Sequence, residues 1–192
     1  MIVEPAAAGE GRAVFVCAHG AGGHMADRGM QLTAQALRGA GFDVVRFNFP
    51  YRDKGSGRPD PMPQLKASMA AVASQARGSK KLILGGRSMG GRAASMLAAD
   101  SFACDGLLLL SYPLHPAGKP EKLRDAHLPQ IRVPVLCFSG TRDPLCRRDL
   151  MEQTLKNLSW QMHWVDGAGH SFGVRELGEI AEVSRAWLSR LA

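Results

Sequence analysis

The stretch Leu82-Ile83-Leu84-Gly85-Gly86-Arg87-Ser88-Met89-Gly90-Gly91 constrains the fold of this chain more than any other. An apolar run suited to a strand enters Gly86-Arg87-Ser88-Met89-Gly90, and an alanine-rich segment of helical character, Arg92 to Ala99, leaves it. A serine at the apex of so sharp a turn takes a strained backbone conformation. The chain crowds so closely on either side that Gly86 and Gly90 have little room for a Cβ. Such a turn needs a strand before it and a helix after it, with the serine hydroxyl clear of the sheet edge and the free N–H groups of the helix N-terminus aimed at the same place. A chain with 22 glycines also produces glycine pairs by chance. The alternative, a tight turn in which Ser88 only caps the helix, has to be decided by the rest of the sequence.

Strand and helix signals alternate on both sides of this turn. Ala13 to Ala18 is apolar on both faces, as a strand in a covered parallel sheet would be, and ends in His19-Gly20-Ala21-Gly22-Gly23-His24. A helix is predicted from Asp27 to about Arg38, stopping at Gly39-Ala40-Gly41. A strand over Phe42 to Phe49 follows, then Pro50-Tyr51-Arg52 and a polar loop from Asp53 to Pro63. Gln64 to Arg77 has helical spacing, with Leu65, Met69, Val72 and Ala76 on one stripe, and Lys81 to Gly85 is the strand that enters the turn. Beyond the Arg92 helix, strands are predicted at Leu107 to Leu110, Val133 to Ser139 and Gln161 to Val165, and helices at about Arg147 to Asn157 and Glu176 to Leu191. Ala117 to Arg132 has no clear pattern, because Pro120 and Pro129 interrupt any helix there. The expected architecture is α/β: one doubly wound domain over residues 1–192, with a mostly parallel sheet of about six or seven strands and helices on both faces. Ligands in such folds bind outside the carboxyl ends of the strands.

Composition removes several classes of function. The 192 residues are 45% hydrophobic and 21% charged, as in an ordinary globular protein, and no apolar run reaches the roughly 18 residues of a membrane span. The first residues, Met1-Ile2-Val3-Glu4-Pro5, carry neither a basic region nor an apolar one, so no secretory signal is read. Cys17, Cys104, Cys137 and Cys146 form no spaced ligand pairs and read as reduced thiols of a cytoplasmic protein. The net charge of +7 invites a nucleic-acid reading, but the basic residues are dispersed and not interleaved with aromatics, so no nucleic-acid or membrane partner is expected. A monomer or a homodimer fits equally well.

Serine is a poor nucleophile at its ordinary pKa and needs a base, which in turn needs an orienting group. The partners must lie in loops on the same sheet edge. Asp143 follows the strand ending at Ser139, and His170 follows the strand ending at Val165, giving the chain order Ser88, Asp143, His170. His163 falls inside a strand, and His115 and His127 lie in the irregular region. Asp166 is the rival acid, on the same strand end as His170. The oxyanion of acyl transfer needs two N–H donors, one from the residue after the nucleophile, Met89, and one from an early loop, where Ala21 is first choice and Gly22 second. His19 and His24 match no standard zinc spacing, and the glycine loop carries no phosphate-binding signature, so no metal or organic cofactor is expected. Gly22, Tyr51, Arg52 and Tyr112 are the candidate substrate-binding residues, with Phe49 and Leu114 as further candidates for an acyl wall. Arg52, Lys54, Arg58, Arg142, Arg147 and Arg148 fall near the same sheet edge and would attract an anionic substrate if they line the site.

With these residues assembled, the chain resembles the α/β-hydrolase superfamily, and more narrowly its small lidless members, dienelactone-hydrolase-like and testis-expressed protein 30-like hydrolases. The resemblance rests on His19-Gly20-Ala21-Gly22-Gly23, Phe47-Asn48-Phe49-Pro50-Tyr51, Gly86-Arg87-Ser88-Met89-Gly90-Gly91-Arg92, Gly140-Thr141-Arg142-Asp143 and Gly169-His170-Ser171-Phe172. It implies a minimal fold without a cap domain, a serine nucleophile at Ser88, an acid at Asp143, a base at His170, and hydrolysis of a small-molecule ester or related acyl bond. Dienelactone hydrolases use cysteine where this sequence has Ser88, which points away from lactone chemistry. The competing expectation is a non-catalytic interaction protein on the same fold.

Overall fold

Two runs foreseen as strands, β2 (Ala13–Ala18) and β4 (Lys81–Arg87, two residues longer than expected), pair in parallel at the centre of a sheet. The computed structural model describes residues 1–191. Among these, β1 (Ile2–Glu4), β3 (Phe42–Phe47), β5 (Gly106–Leu110), β6 (Val135–Gly140) and β7 (Trp160–Val165) complete a sheet of seven strands in the order β1-β3-β2-β4-β5-β6-β7. Every pairing is parallel except that of β1 with β3. The helices are α1 (Arg28–Gly39), α2 (Pro50–Asp53), α3 (Met62–Ala76), α4 (Met89–Ala99), α5 (Arg148–Leu155) and α6 (Val174–Leu188).

The winding follows from where each helix buries its stripe. Met30, Ala34 and Leu37 of α1 and Leu177, Ile180 and Trp187 of α6 pack on one sheet face with Phe15, Phe42 and Phe138. Leu65 and Met69 of α3, Leu97 of α4 and Met151 of α5 pack on the other face with Val16, Leu84 and Leu109. Each large side chain so buried contributes roughly 1.5–3 kcal/mol. The chain leaves β2 through α1 towards β3, then returns over the opposite face through α3 to β4 on the far side of β2. The loops after β2 and β4 therefore diverge to opposite faces and leave a crevice between them, the switch point at which such sheets bind ligands. No cap domain is present, and no helix of the described residues is long and apolar enough to cross a membrane.

The departures from expectation are local. β1 lies where no strand is expected; three residues are too few to show a period, and the strand is held by tertiary contacts, with the Arg46 guanidinium donating to Glu4 at 2.7 Å. Pro50 starts the short helix α2 where a loop is expected, its fixed φ suiting a first helical position. α4 begins at Met89, not Arg92, so its N-terminus abuts Ser88 directly. Ala117 to Arg132 is irregular apart from a 3₁₀ turn over Leu128–Gln130.

That segment is moored to α4 by His127, whose Nε2 lies 2.8 Å from Ser95 Oγ. Burial, reinforced by the nearby Arg92 charge, lowers the His127 pKa to about 4. A histidine that ionises less readily folded than unfolded contributes stability that is complete above about pH 6.5 and is lost as pH falls towards 4. We expect the thermal midpoint of His127→Gln to fall less than that of the parent between pH 7 and pH 4.5, as read by circular dichroism melts.

Candidate active site

Ser88 has φ 50° and ψ −114°, a conformation strained for any side chain. It is held there from both sides: its N–H donates to Leu110 O at 2.9 Å, and its carbonyl accepts from Arg92 N at 3.0 Å. The flanking glycines serve the same end. A Cβ on Gly86, whose φ is +134°, would lie 2.1 Å from Ala18 O, and one on Gly90 would lie 2.6 Å from the same atom. Both glycines thus press the turn against the end of β2.

The structure brings Ser88, Asp143 and His170 together from three strand ends. His170 Nε2 is 2.8 Å from Ser88 Oγ, and His170 Nδ1 is 2.8 and 2.9 Å from the two Asp143 carboxylate oxygens. A carboxylate can only accept, so the ring proton sits on Nδ1 and the Nε2 lone pair faces the serine hydroxyl. Asp143 is buried, and its Oδ1 also accepts from Leu145 N at 2.8 Å. The loops carrying Asp143 and His170 are fastened to each other by Thr141 N to Val165 O at 3.1 Å and Arg142 N to Ala168 O at 2.9 Å. Gly140 permits this crossing, since a Cβ there would lie 2.2 Å from Ala168 O. The rival Asp166 faces Thr141 Oγ1, not the histidine.

The loop after β2 is built around His19, which is fully buried. Its Nδ1–H donates to Gly20 O at 2.7 Å and its Nε2 accepts from Phe49 N at 3.2 Å; burial lowers its pKa, helped by the Arg52 charge, and it is neutral. Tyr51 OH donates to Ala21 O at 2.6 Å and ties α2 to the same loop. Gly20 approaches Ser88 closely. The N–H groups of Ala21 and Met89 donate to no protein acceptor among the described residues. His24 is engaged by Asn48 and Ala26 N, and the described residues include no cluster of His, Cys, Asp and Glu able to hold a metal ion.

A cavity of about 340 Å³ opens over Ser88, walled by Gly20 to Gly23, Arg87, Leu145 and His170. No residue of the 53–63 or 113–129 segments, the two loops long enough to reach over it, is among those that line it. A larger hollow of about 460 Å³ lies at the amino ends of the strands, around Asp105, Pro134 and Trp187, and has no histidine beside its only serine, Ser159.

Of the candidate substrate residues, Gly22 lines the cavity and the others do not. Tyr51 and Tyr112 are 2% and 0% exposed, as Phe49 and Leu114 are also buried. Each tyrosine turns inward because a backbone carbonyl there takes its hydroxyl proton: Ala21 O for Tyr51 and Arg124 O, at 2.9 Å, for Tyr112. Arg52 packs against its own loop, donating to Ser56 O at 3.3 Å. Arg147 pairs with Asp149, and Arg148 pairs with Glu152 and stacks over Trp164. The basic residue among those that line the cavity is Arg87, at a position that carries no fixed role in the motif.

A family model described as an alpha/beta hydrolase domain matches residues 11–185. Among solved structures, an alpha-beta serine hydrolase homologue from Coxiella burnetii is similar with a TM-score of 0.76 at 22% identity, over 97% of this chain and 90% of that one. Est1E from Butyrivibrio proteoclasticus, with ferulic acid bound, gives 0.79 at 16% identity over 99% and 94%. A dienelactone hydrolase from Anabaena variabilis gives 0.73 at 19% identity over 97% and 89%. With the family model spanning nearly the whole sheet and its flanking helices, the chain belongs to the alpha/beta hydrolase family.

Proposed function

We propose that this protein is a serine hydrolase of carboxylesterase type, cleaving a small ester or related acyl bond through a covalent acyl-enzyme. The observation that carries this reading is the 2.8 Å contact of His170 Nε2 with Ser88 Oγ, with the opposite ring nitrogen on Asp143. Ser88 Oγ adds to the acyl carbon as its proton passes to His170 Nε2, and the resulting oxyanion takes hydrogen bonds from the N–H groups of Ala21 and Met89. Collapse breaks the bond to the leaving group, which receives the proton from His170. A water then gives a proton to His170, attacks the acyl carbon and releases the acid, restoring Ser88. Asp143 keeps the imidazole in the right tautomer and stabilises its charge throughout. An esterase domain from Rhodothermus marinus among the structural neighbours supports the acyl class but not the substrate.

The test is covalent labelling with a fluorophosphonate probe, the adduct located by peptide mass spectrometry, beside turnover of p-nitrophenyl acetate. An adduct on Ser88 with turnover supports the reading. A folded protein that neither labels nor turns over would sink it and bring the interaction role forward.

Tyr51→Phe probes the loop without touching the three central side chains. Removing the hydroxyl that holds Ala21 O is expected to lower kcat by about 10-fold with KM little changed, less than the 10²–10³ expected for loss of an oxyanion donor outright. Steady-state kinetics on the same ester would read it.

A further inference from the structure

Arg87 is the last residue of β4 and immediately precedes Ser88. Arg87 is among the residues that line the cavity, and its guanidinium has no carboxylate within ion-pair distance among the described residues. Nη2 donates to Ser171 Oγ at 3.0 Å, on the residue next to His170, and Nη1 rests so close to Gly29 that a Cβ there would lie 2.5 Å away. Gly29 belongs to the first turn of α1, which has no acidic residue to offset the positive end of its dipole. Asp27, the N-cap residue of α1, accepts from His24 N at 2.7 Å through Oδ2. Arg46, Arg147 and Arg148, by contrast, each hold a carboxylate. A cation anchored beside helix N-termini at the edge of the cavity, with no carboxylate paired to it, makes a locus of positive potential that an anion would relieve.

We infer that Arg87 determines specificity in this site by taking the carboxylate of a small anionic ester. This rests on the hydrolase reading above. The planar fork of a guanidinium matches a carboxylate in two parallel hydrogen bonds, and the small cavity suits a short half-ester of a dicarboxylic acid or an ester of a hydroxy acid. Anchoring on Ser171 keeps the fork beside the base, so the charge that binds the substrate also fixes the ester against Ser88.

The experiment compares matched pairs differing only in charge: mono-p-nitrophenyl glutarate against p-nitrophenyl valerate for the acyl side, and 4-acetoxybenzoate against its methyl ester for the leaving-group side. The readout is the ratio of kcat/KM within each pair, in which general damage to the turn cancels. The parent protein should favour the charged member of at least one pair by about 10-fold or more at low salt, and Arg87→Gln should erase that ratio, as expected for one charge-assisted contact. Arg87→Lys should retain part of it. No preference in the parent, or a ratio unchanged in Arg87→Gln, overturns the inference. Calorimetric titration with glutarate and benzoate separates the two readings. Binding lost in Arg87→Gln by a protein that neither labels nor turns over keeps the carboxylate site and rejects the hydrolase. Labelling and turnover without such binding or preference does the reverse.

Discussion

Ser88→Ala is expected to reduce kcat on p-nitrophenyl acetate by at least about 10⁴-fold, while moving folding stability by no more than about 1 kcal/mol. The size of the first effect follows from the division of labour in the site. His170 and Asp143 act on the serine proton, so without Oγ they have nothing to activate, and only binding and oxyanion stabilisation of direct water attack remain. The smallness of the second follows from the surroundings. The turn is held by backbone bonds, Ser88 N to Leu110 O and Arg92 N to Ser88 O, which alanine keeps. Asp143→Asn is the companion measurement. It preserves the shape of the site but lets the imidazole adopt the other tautomer, and should cost about 10⁴-fold as well. A Ser88→Ala protein that retained more than a tenth of the parent turnover would show that another residue supplies the nucleophile.

Gly86→Ala is expected to destabilise the fold by more than about 3 kcal/mol, and Gly90→Ala by a comparable amount, large values for the loss of no contact at all. The atoms that a methyl would strike are backbone: Ala18 O at 2.1 Å and Ala18 N at 2.6 Å for Gly86, and Ala18 O and C at 2.6 and 2.7 Å for Gly90. They cannot swing aside, since β2 is pinned in parallel register between β3 and β4. Gly86 adds the cost of holding φ at +134° with a side chain. Gly22→Ala, where no atom lies within 4 Å of the added carbon, is the control and should change stability by less than about 1 kcal/mol. Urea melts of the three variants would rank them. Equal stability of Gly86→Ala and Gly22→Ala would mean that the turn does not press on β2.

The three central residues were legible because each falls just past a strand in an alternating pattern, and strand ends of a parallel sheet collect on one edge. What the pattern cannot carry is which way a side chain points once the strand has ended. Tyr112 follows β5 and reads as a cavity wall, yet its hydroxyl finds Arg124 O inside the core. Arg147 and Arg148 read as a positive mouth, but their sequence neighbours Asp149 and Glu152 claim them. Arg87 was hidden for the opposite reason: its orientation is set by Gly29 and Ser171, far away in the chain. β1 was invisible because three residues show no period, and its place depends on the Glu4 partner that Arg46 supplies.

The uncovered cavity has a consequence for the fate of the acyl group. With no cap domain to open or shut over Ser88, the surface of a droplet or micelle has no such element to pry apart. The same openness leaves the acyl-enzyme in contact with bulk water throughout its life. Under the proposed chemistry, water at its full concentration then competes with dilute alcohols and amines for the acyl group, which favours hydrolysis over transfer.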